Sequence, residues 1–474
     1  MRCCKPRKPR STSFKPQVFW LTRHLHERSR SPTETTISMR DALWFWFKLG
    51  FISFGGPAGQ ISIMHQALVV ERRWISEKRF LHALNYCMLL PGPEAQQLAT
   101  YLGWLMHKTT GGVLAGLLFI LPSLFLIVGL SWVYVGFGDV PWVAAVFQGI
   151  KPAVIAVVIQ ALHRLGSSSL QKPWMWAMAA ASFIAVFVWH VPFPWIVLGA
   201  MLTAAGIGKF APHLLAVNTH RPGAHSVTQG AAVIDDHTPL PAHARFQTQR
   251  LCRVLIVGAV LWLLPMGLLW ALWGGSNTLL DMGWFFSKAA LLTFGGAYAV
   301  LPYVYQGAVE SFQWLTPHQM IDGLALGEST PGPLIMVVTF VGYVGGYAKP
   351  VIDGDWQTLS AVLGALVATW FTFLPSFIFI LAGGPLVEMT QHQWRWTAPL
   401  SGVTAAVVGV MLQLALFFAY HVWWPQGFSH SLDIWAAVFS LLWTIALFRF
   451  KWSVLKVLSS AAAIGLIWQS LGLP

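Results

Sequence analysis

A chain of 474 residues that is 56% hydrophobic and only 10% charged, with a mean hydropathy of +0.60, is not an ordinary soluble domain, where about a quarter of residues carry charge. The formal net charge of +13 is uneven, because residues 1–40 hold ten Lys/Arg against Glu27 and Glu34. Such a tail could touch nucleic acid, but beside a membrane domain it marks the cytoplasmic side, and no nucleic-acid partner is expected.

In chain order, residues 1–40 are polar and lack an apolar core, so they do not read as a secretory signal. A disordered cytoplasmic tail is expected, with Met39 as an alternative start and an Arg/Ser-rich organelle presequence as the other reading. Residues 41–70 are an apolar helix interrupted at Gly55-Gly56-Pro57, and a basic loop with Arg72, Arg73, Lys78 and Arg79 follows. Residues 80–106 are again apolar and interrupted at Pro91-Gly92-Pro93. Spans follow at 111–135, 141–162, 173–190 and 192–208, some with about 20 uncharged residues, enough to cross the hydrocarbon core. Residues 209–250 are a polar linker whose irregularly spaced histidines do not suggest a metal site. A linker helix over 251–278 leads to residues 279–474. There, broken elements at 282–309 and 320–346 precede spans at 359–382, 398–420, 433–448 and 454–471. Cys3, Cys4, Cys87 and Cys252 have no paired or zinc-ligand spacing, and no cofactor or metal is expected.

The second half repeats the first. Adding 240 carries Lys48 to Lys288, Phe54-Gly55-Gly56 to Phe294-Gly295-Gly296, Trp74 to Trp314 and Pro91-Gly92-Pro93 to Pro331-Gly332-Pro333. Adding 253 carries Pro122-Ser123 to Pro375-Ser376 and Gly149 to Gly402. Register kept over such a length means duplication. The basic loop has a counterpart over 310–319 without Lys or Arg. With the tail inside, this contrast predicts two repeats, 41–208 and 279–474, of inverted topology. The fold class is therefore an all-α polytopic membrane protein with helices broken inside the bilayer. Keeping the loop at 71–79 inside requires 41–70 and 80–106 to be re-entrant hairpins, with full spans as the alternative.

The breaks point to chemistry. The start of a half-helix offers unpaired N–H groups and a positive dipole end, which attract an anion. Repeats of this kind bring such ends together near the midplane. Pro-Gly-Pro reads as the start of a helix, with Ser329 and Thr330 as caps ahead of Pro331. The candidate substrate site is therefore Gly55, Gly56, Pro57, Gly295 and Gly296 with Pro91, Gly92, Pro93, Pro331, Gly332 and Pro333. Gln60 and Gln97 are candidate neutral donors, though polar residues also glue helices together. Lys48 and Lys288 could offset substrate charge, or snorkel to the interface. Glu94 and Glu328 flank the two Pro-Gly-Pro turns and could carry a coupling proton, or act as local caps. Neither a Ser/His/Asp set nor a phosphate loop is evident, so enzymatic activity is not expected.

These residues resemble the chromate ion transporter family in its long, two-domain form. The resemblance rests on Phe54-Gly55-Gly56-Pro57, Glu71-Arg72-Arg73-Trp74-Ile75, Leu90-Pro91-Gly92-Pro93 with Gln97-Leu98-Ala99, Phe294-Gly295-Gly296 and Gly327-Glu328-Ser329-Thr330-Pro331-Gly332-Pro333. It implies a multi-pass inner-membrane carrier exporting chromate, driven by the proton-motive force or by exchange with sulfate. Ala297 stands where the first copy has Pro57, so the two halves are unequal. The residues alone specify only a tetrahedral oxyanion. The alternatives are sulfate uptake or exchange, or a membrane scaffold or sensor that transports nothing; the bilayer is a partner in each case, and a homodimer is left open.

Overall fold

The computed structural model describes residues 37–54, 56–138, 140–210, 232–235, 242–294, 296–352, 354–389 and 397–472. The candidates Gly55 and Gly295, and nearly all of the basic tail, lie outside the described residues. The first copy comprises α1 (Met39–Ile52), α2 (Gly56–His65), α3 (Glu77–Cys87), α4 (Glu94–Phe137), α5 (Pro141–Ser169), α6 (Pro173–Phe187) and α7 (Phe193–Phe210). Between the copies lies α8 (Thr248–Trp273). The second copy comprises α9 (Thr278–Leu292), α10 (Ala297–Tyr305), α11 (Pro317–Ser329), α12 (Val337–Ala348), α13 (Gln357–Met389), α14 (Thr397–Trp423), α15 (Ile434–Phe448) and α16 (Val454–Ser470). Among the described residues, six helices are long and apolar enough to cross a membrane.

Local chemistry sets the same punctuation in both copies. Both α2 and α10 end in a one-turn π-helix, Gln66–Glu71 and Gln306–Ser311, which terminates at Arg73 and Gln313 with φ 52° and 51°. The N–H groups of Trp74 and Ile75 then turn back to Leu68 O, as those of Trp314 and Leu315 do to Ala308 O. Ser76 Oγ accepts from Arg79 N to start α3, and Thr316 forms a capping box with Gln319 to start α11. The segments expected at 80–106 and 111–135 meet within α4 at His107 and Lys108, where φ and ψ leave the helical range and the chain doubles back, so that a Cβ on Gly112 would lie 2.9 Å from Thr100 O.

Small residues bring the copies together. A Cβ on Gly149 would lie 2.5 Å from Ala461 O, and one on Gly402 2.4 Å from Ala204 Cβ. Thus α5 packs on α15 and α16 while its mate α14 packs on α6 and α7, each copy holding the other's helices. Exposed apolar side chains fit a hydrocarbon surround: on α8, Leu255, Ile256, Val257, Val260, Leu263, Leu264 and Trp270 point outward.

The two loops that follow the π-turns have different neighbours. Backbone hydrogen bonds join Val233 N to Arg73 O, Ile234 N to Trp74 O and Ser76 N to Ile234 O, so the basic loop pairs with the linker between the copies. Farther along the linker His243 Nε2 lies 2.9 Å from Trp104 O and Arg250 donates to Thr109 Oγ1 at 2.9 Å. The other loop sits where α7 begins, because Gln306 Oε1 accepts from Phe193 N at 3.1 Å. The repeats are inverted, the basic loop sitting against the linker and its counterpart beside the start of α7.

Candidate functional site

The site is built from four helix starts and two reciprocal hydrogen bonds. Gly92 N donates to Thr293 O, and Gly332 N donates to Ser53 O, both at 2.8 Å. Gly92 and Gly332 are mates, as are Ser53 and Thr293. Each Pro-Gly-Pro turn therefore clasps the Phe-Gly-Gly break of the opposite copy. Positive φ at Gly56 (69°), Gly92 (129°), Gly296 (95°) and Gly332 (108°) shows why glycine is needed at these four turns. A Cβ on Gly92 would lie 2.3 Å from Ser376 Oγ, and one on Gly332 2.6 Å from Ser123 Cβ. Those serines are mates too, so the cross is repeated one layer out.

Two sequence expectations are corrected. The N–H groups of Gly92 and Gly332 are not free, since each is bonded across the repeat boundary. Ser329 and Thr330 do not cap the helix ahead; they finish α11, with Ser329 Oγ donating to Leu326 O and Thr330 Oγ1 to Gly327 O. The N-caps that follow are Pro93 for α4 and Pro333 for the short turn Leu334–Met336 leading into α12. Pro91, Pro93, Pro331 and Pro333 thus bracket the clasping glycines and keep the turns extended, while Pro57 occupies the first turn of α2.

Polar side chains collect on the first copy's half. Gln60 Nε2 donates to Gly332 O and lies 3.4 Å from Ser53 O, while Gln97 Nε2 donates to Pro91 O at 2.8 Å. Both amides therefore steady the clasp itself. Buried and without a hydrogen-bond partner among the described residues are Ser53 Oγ, Ser123 Oγ and Ser376 Oγ, with Gln60 Oε1, Gln96 Oε1 and Gln97 Oε1. A buried hydroxyl with no partner costs about 1–3 kcal/mol unless something fills its valence. The three serine hydroxyls can rotate to donate, so the clasp offers neutral donors beside the positive ends of converging helices.

The carboxylates approach the same breaks. Glu94 Oε1 would lie 3.7 Å from a Cβ on Gly296. Glu328 Oε1 accepts from Tyr298 OH at 2.5 Å, and that hydroxyl would lie 3.9 Å from a Cβ on Gly56. Arg164, on α5, is close enough for its charge to act on Glu328 and Tyr298. Lys48 is half-buried and Lys288 exposed, and neither forms a hydrogen bond or ion pair in the clasp among the described residues. The sequence reading passed over Ser53 with Thr293 and Ser123 with Ser376, although their register was visible. It also passed over Lys151 and Asp322, ionisable residues inside apolar stretches, which was the signal that could have found them. No group of three metal-ligating side chains occurs among the described residues.

Comparison with known proteins agrees with this architecture. The pattern of the family described as chromate transporter matches residues 40–207 and again 280–466, once per copy. The chain is 35% identical to a chromate transport protein of Pseudomonas aeruginosa, covering 89% of this chain and 90% of that one. It is 28% identical to a chromate transport protein of Cupriavidus metallidurans, covering 92% and 94%. A probable chromate transport protein of Synechococcus elongatus is 26% identical, over 79% of this chain and 83% of that one. No solved structure matches. With a duplicated sequence, an inverted pair of broken-helix repeats and a family match to each copy, the chain belongs to the chromate transporter family.

Proposed function

We propose that this chain carries chromate outward across the cell inner membrane as a secondary active transporter, and so confers chromate resistance. The observation that carries this reading is the reciprocal clasp, Gly92 to Thr293 and Gly332 to Ser53, with Ser53, Ser123 and Ser376 left unpaired around it. Neutral hydroxyl donors at positive helix ends suit a tetrahedral dianion that must be bound and released. The family membership and the names of the relatives favour chromate among such anions. The Lys/Arg excess of the basic loop, the linker and the N-terminal tail favours the cytoplasmic side for all three.

Glu328 is the candidate carrier of a coupling proton, with Glu94 as the second, because both lie at the breaks within an apolar interior. The test is flux of radiolabelled chromate and sulfate into everted vesicles, with and without an imposed proton gradient. Gradient-dependent chromate accumulation supports export. Accumulation of sulfate in preference to chromate moves the assignment to sulfate, and no flux of either removes the transport reading. Glu328→Gln should lose uphill accumulation while chromate binding remains; unchanged uphill transport leaves Glu328 a local cap.

A further inference from the structure

A second polar cluster lies apart from the clasp, toward the face that lacks the basic loop. Lys151 sits on α5 ten residues past its start, about 15 Å along the helix. Its Nζ is 3.8 Å from Asp322 Oδ2, too far for a direct hydrogen bond, and its side chain is 24% exposed against 5% for Asp322. Asp322 Oδ2 accepts from Tyr134 OH at 2.9 Å, whereas Oδ1 is buried without a partner. One turn earlier on α11, His318 Nδ1 is also buried and unpartnered, and its ring lies 6.1 Å from that of His421 on α14. Both copies contribute, since Tyr134 and Lys151 come from the first and Asp322, His318 and His421 from the second.

A buried carboxylate used only as a structural brace normally has donors on both oxygens. Asp322 has one donor on one oxygen and a cation held loosely beyond it. A pair held that way can be replaced by a better counter-ion. A tetrahedral dianion carries twice the charge of a carboxylate and presents oxygens on every side, enough to engage Lys151 and an imidazole together.

We propose that Lys151 is a second binding site for the transported oxyanion, in the half of the path nearer the face without the basic loop, and that Asp322 holds it as resident counter-ion until the anion arrives. This rests on the transport reading above. Protonating Asp322 frees Lys151, so anion binding at this site strengthens as the pH falls. Asp322 faces Lys151 on α5 and Tyr134 on α4, with His318 one turn earlier on α11 and His421 on α14 beside His318; the other packed elements carry Tyr343 and Tyr347 on α12 and Lys456 on α16.

The test is equilibrium binding of chromate and of sulfate to the purified full-length protein at pH 6 and pH 8, with thermal unfolding as a check on folding. Asp322→Asn should bind oxyanion roughly tenfold tighter than wild type at pH 8, the scale of one charge-assisted contact, and lose most of the pH dependence. Lys151→Gln should weaken binding by a similar factor while Lys151→Arg retains it. Adding Asp322→Asn to Lys151→Gln should change nothing further. The proposal is overturned if Asp322→Asn binds no tighter than wild type, or if it tightens binding equally when Lys151 is absent. Failure of the wild-type protein to bind either anion would overturn this proposal and the transport reading together; normal wild-type binding with an unchanged Asp322→Asn variant would overturn this one alone.

Discussion

The two copies share a backbone but differ in their side chains. Where the first has Gln60, Gln96, Gln97 and Thr100, the second has Val300, Met336, Val337 and Phe340 at the mated positions. The features common to both are those the chain path needs: glycines at positive φ, the flanking prolines, and the carbonyls of Ser53 and Thr293. The loops differ in the same way. Arg72 lies 4.9 Å from the Phe45 ring and 4.7 Å from the Trp74 ring. Its mate Phe312 stacks 4.5 Å from Trp314 and sits 5.7 Å from Phe285, the mate of Phe45. One aromatic slot thus takes a cation on one face and a ring on the other. Duplication supplied a symmetric scaffold, and the inequality placed the glutamines on one side of it and the Lys/Arg of the loop at 71–79 on one copy alone.

The largest effect should come from breaking the shared part. Gly92→Ala and Gly332→Ala each put a Cβ into positive φ, about 1–2 kcal/mol of strain, and into Ser376 or Ser123. With that collision added, flux should fall by roughly a hundredfold or more in either variant. Gly129→Ala, which has no atom within 4 Å of its added Cβ, should behave as wild type in the same vesicle assay. Equal flux in all three would show that the clasp is not needed.

Smaller, and one-sided, is the loss of a clasp support. Gln60→Leu leaves the Gly332 carbonyl without its side-chain donor, an expected cost of about 1–3 kcal/mol that should appear as a ten- to hundredfold drop in flux. Val300→Ala, at the mated position, removes no hydrogen bond, so its cost should fall on thermal stability and leave flux near the wild-type value. Similar losses at the two positions would erase the distinction between the halves.

Much of this was legible without coordinates. The offset of 240 gave both breaks in both copies, and the Lys/Arg contrast between 71–79 and 310–319 gave the inversion. A register identifies mates and not partners, so the crossing of Gly92 to Thr293 and Gly332 to Ser53 was hidden. Ser329 and Thr330 went to the wrong helix because a Ser-Thr pair before proline fits the end of one helix as well as the start of the next. The docking of Ile234 on the basic loop was invisible because a single bridge leaves no periodic trace in a polar linker.

Effects at the loops should be smaller still. Arg72→Ala removes two cation–π contacts, each about 0.5–1 kcal/mol where exposed, and should lower thermal stability modestly without abolishing flux. Arg72→Phe, which copies the second repeat's slot, should recover most of that loss. A cysteine at Ser76 should resist a membrane-impermeant reagent in intact cells while one at Ser311 reacts; the reverse pattern would invert the assignment of faces.

The smallest effect concerns the linker. Burial against Trp104 pushes His243 below the ordinary histidine range, opposed by its backbone hydrogen bond and helped by the nearby Arg250 and Lys108 charges. A lowered folded value means that the unlatched state binds the proton more readily, so the contact is fully present above the ordinary range and weakens as the pH falls through it. Hydrogen exchange at residues 242–250 should therefore speed up at pH 5.5 relative to pH 8, and His243→Phe should remove the difference. A pH-independent exchange rate would show that His243 is not what holds the linker.

The central claim is that the crossed clasp encloses the oxyanion site, and the serines at its second layer test it most directly. Ser123 Oγ and Ser376 Oγ have no partner among the described residues, so removing them breaks no hydrogen bond described in the fold. The measurement is the apparent chromate constant in everted vesicles for Ser123→Ala, Ser376→Ala and the double variant, with thermal unfolding alongside. The account predicts stability equal to or above wild type, an apparent constant raised roughly tenfold by each change, and a further rise in the double variant. An unchanged chromate constant in the stable double variant would contradict it.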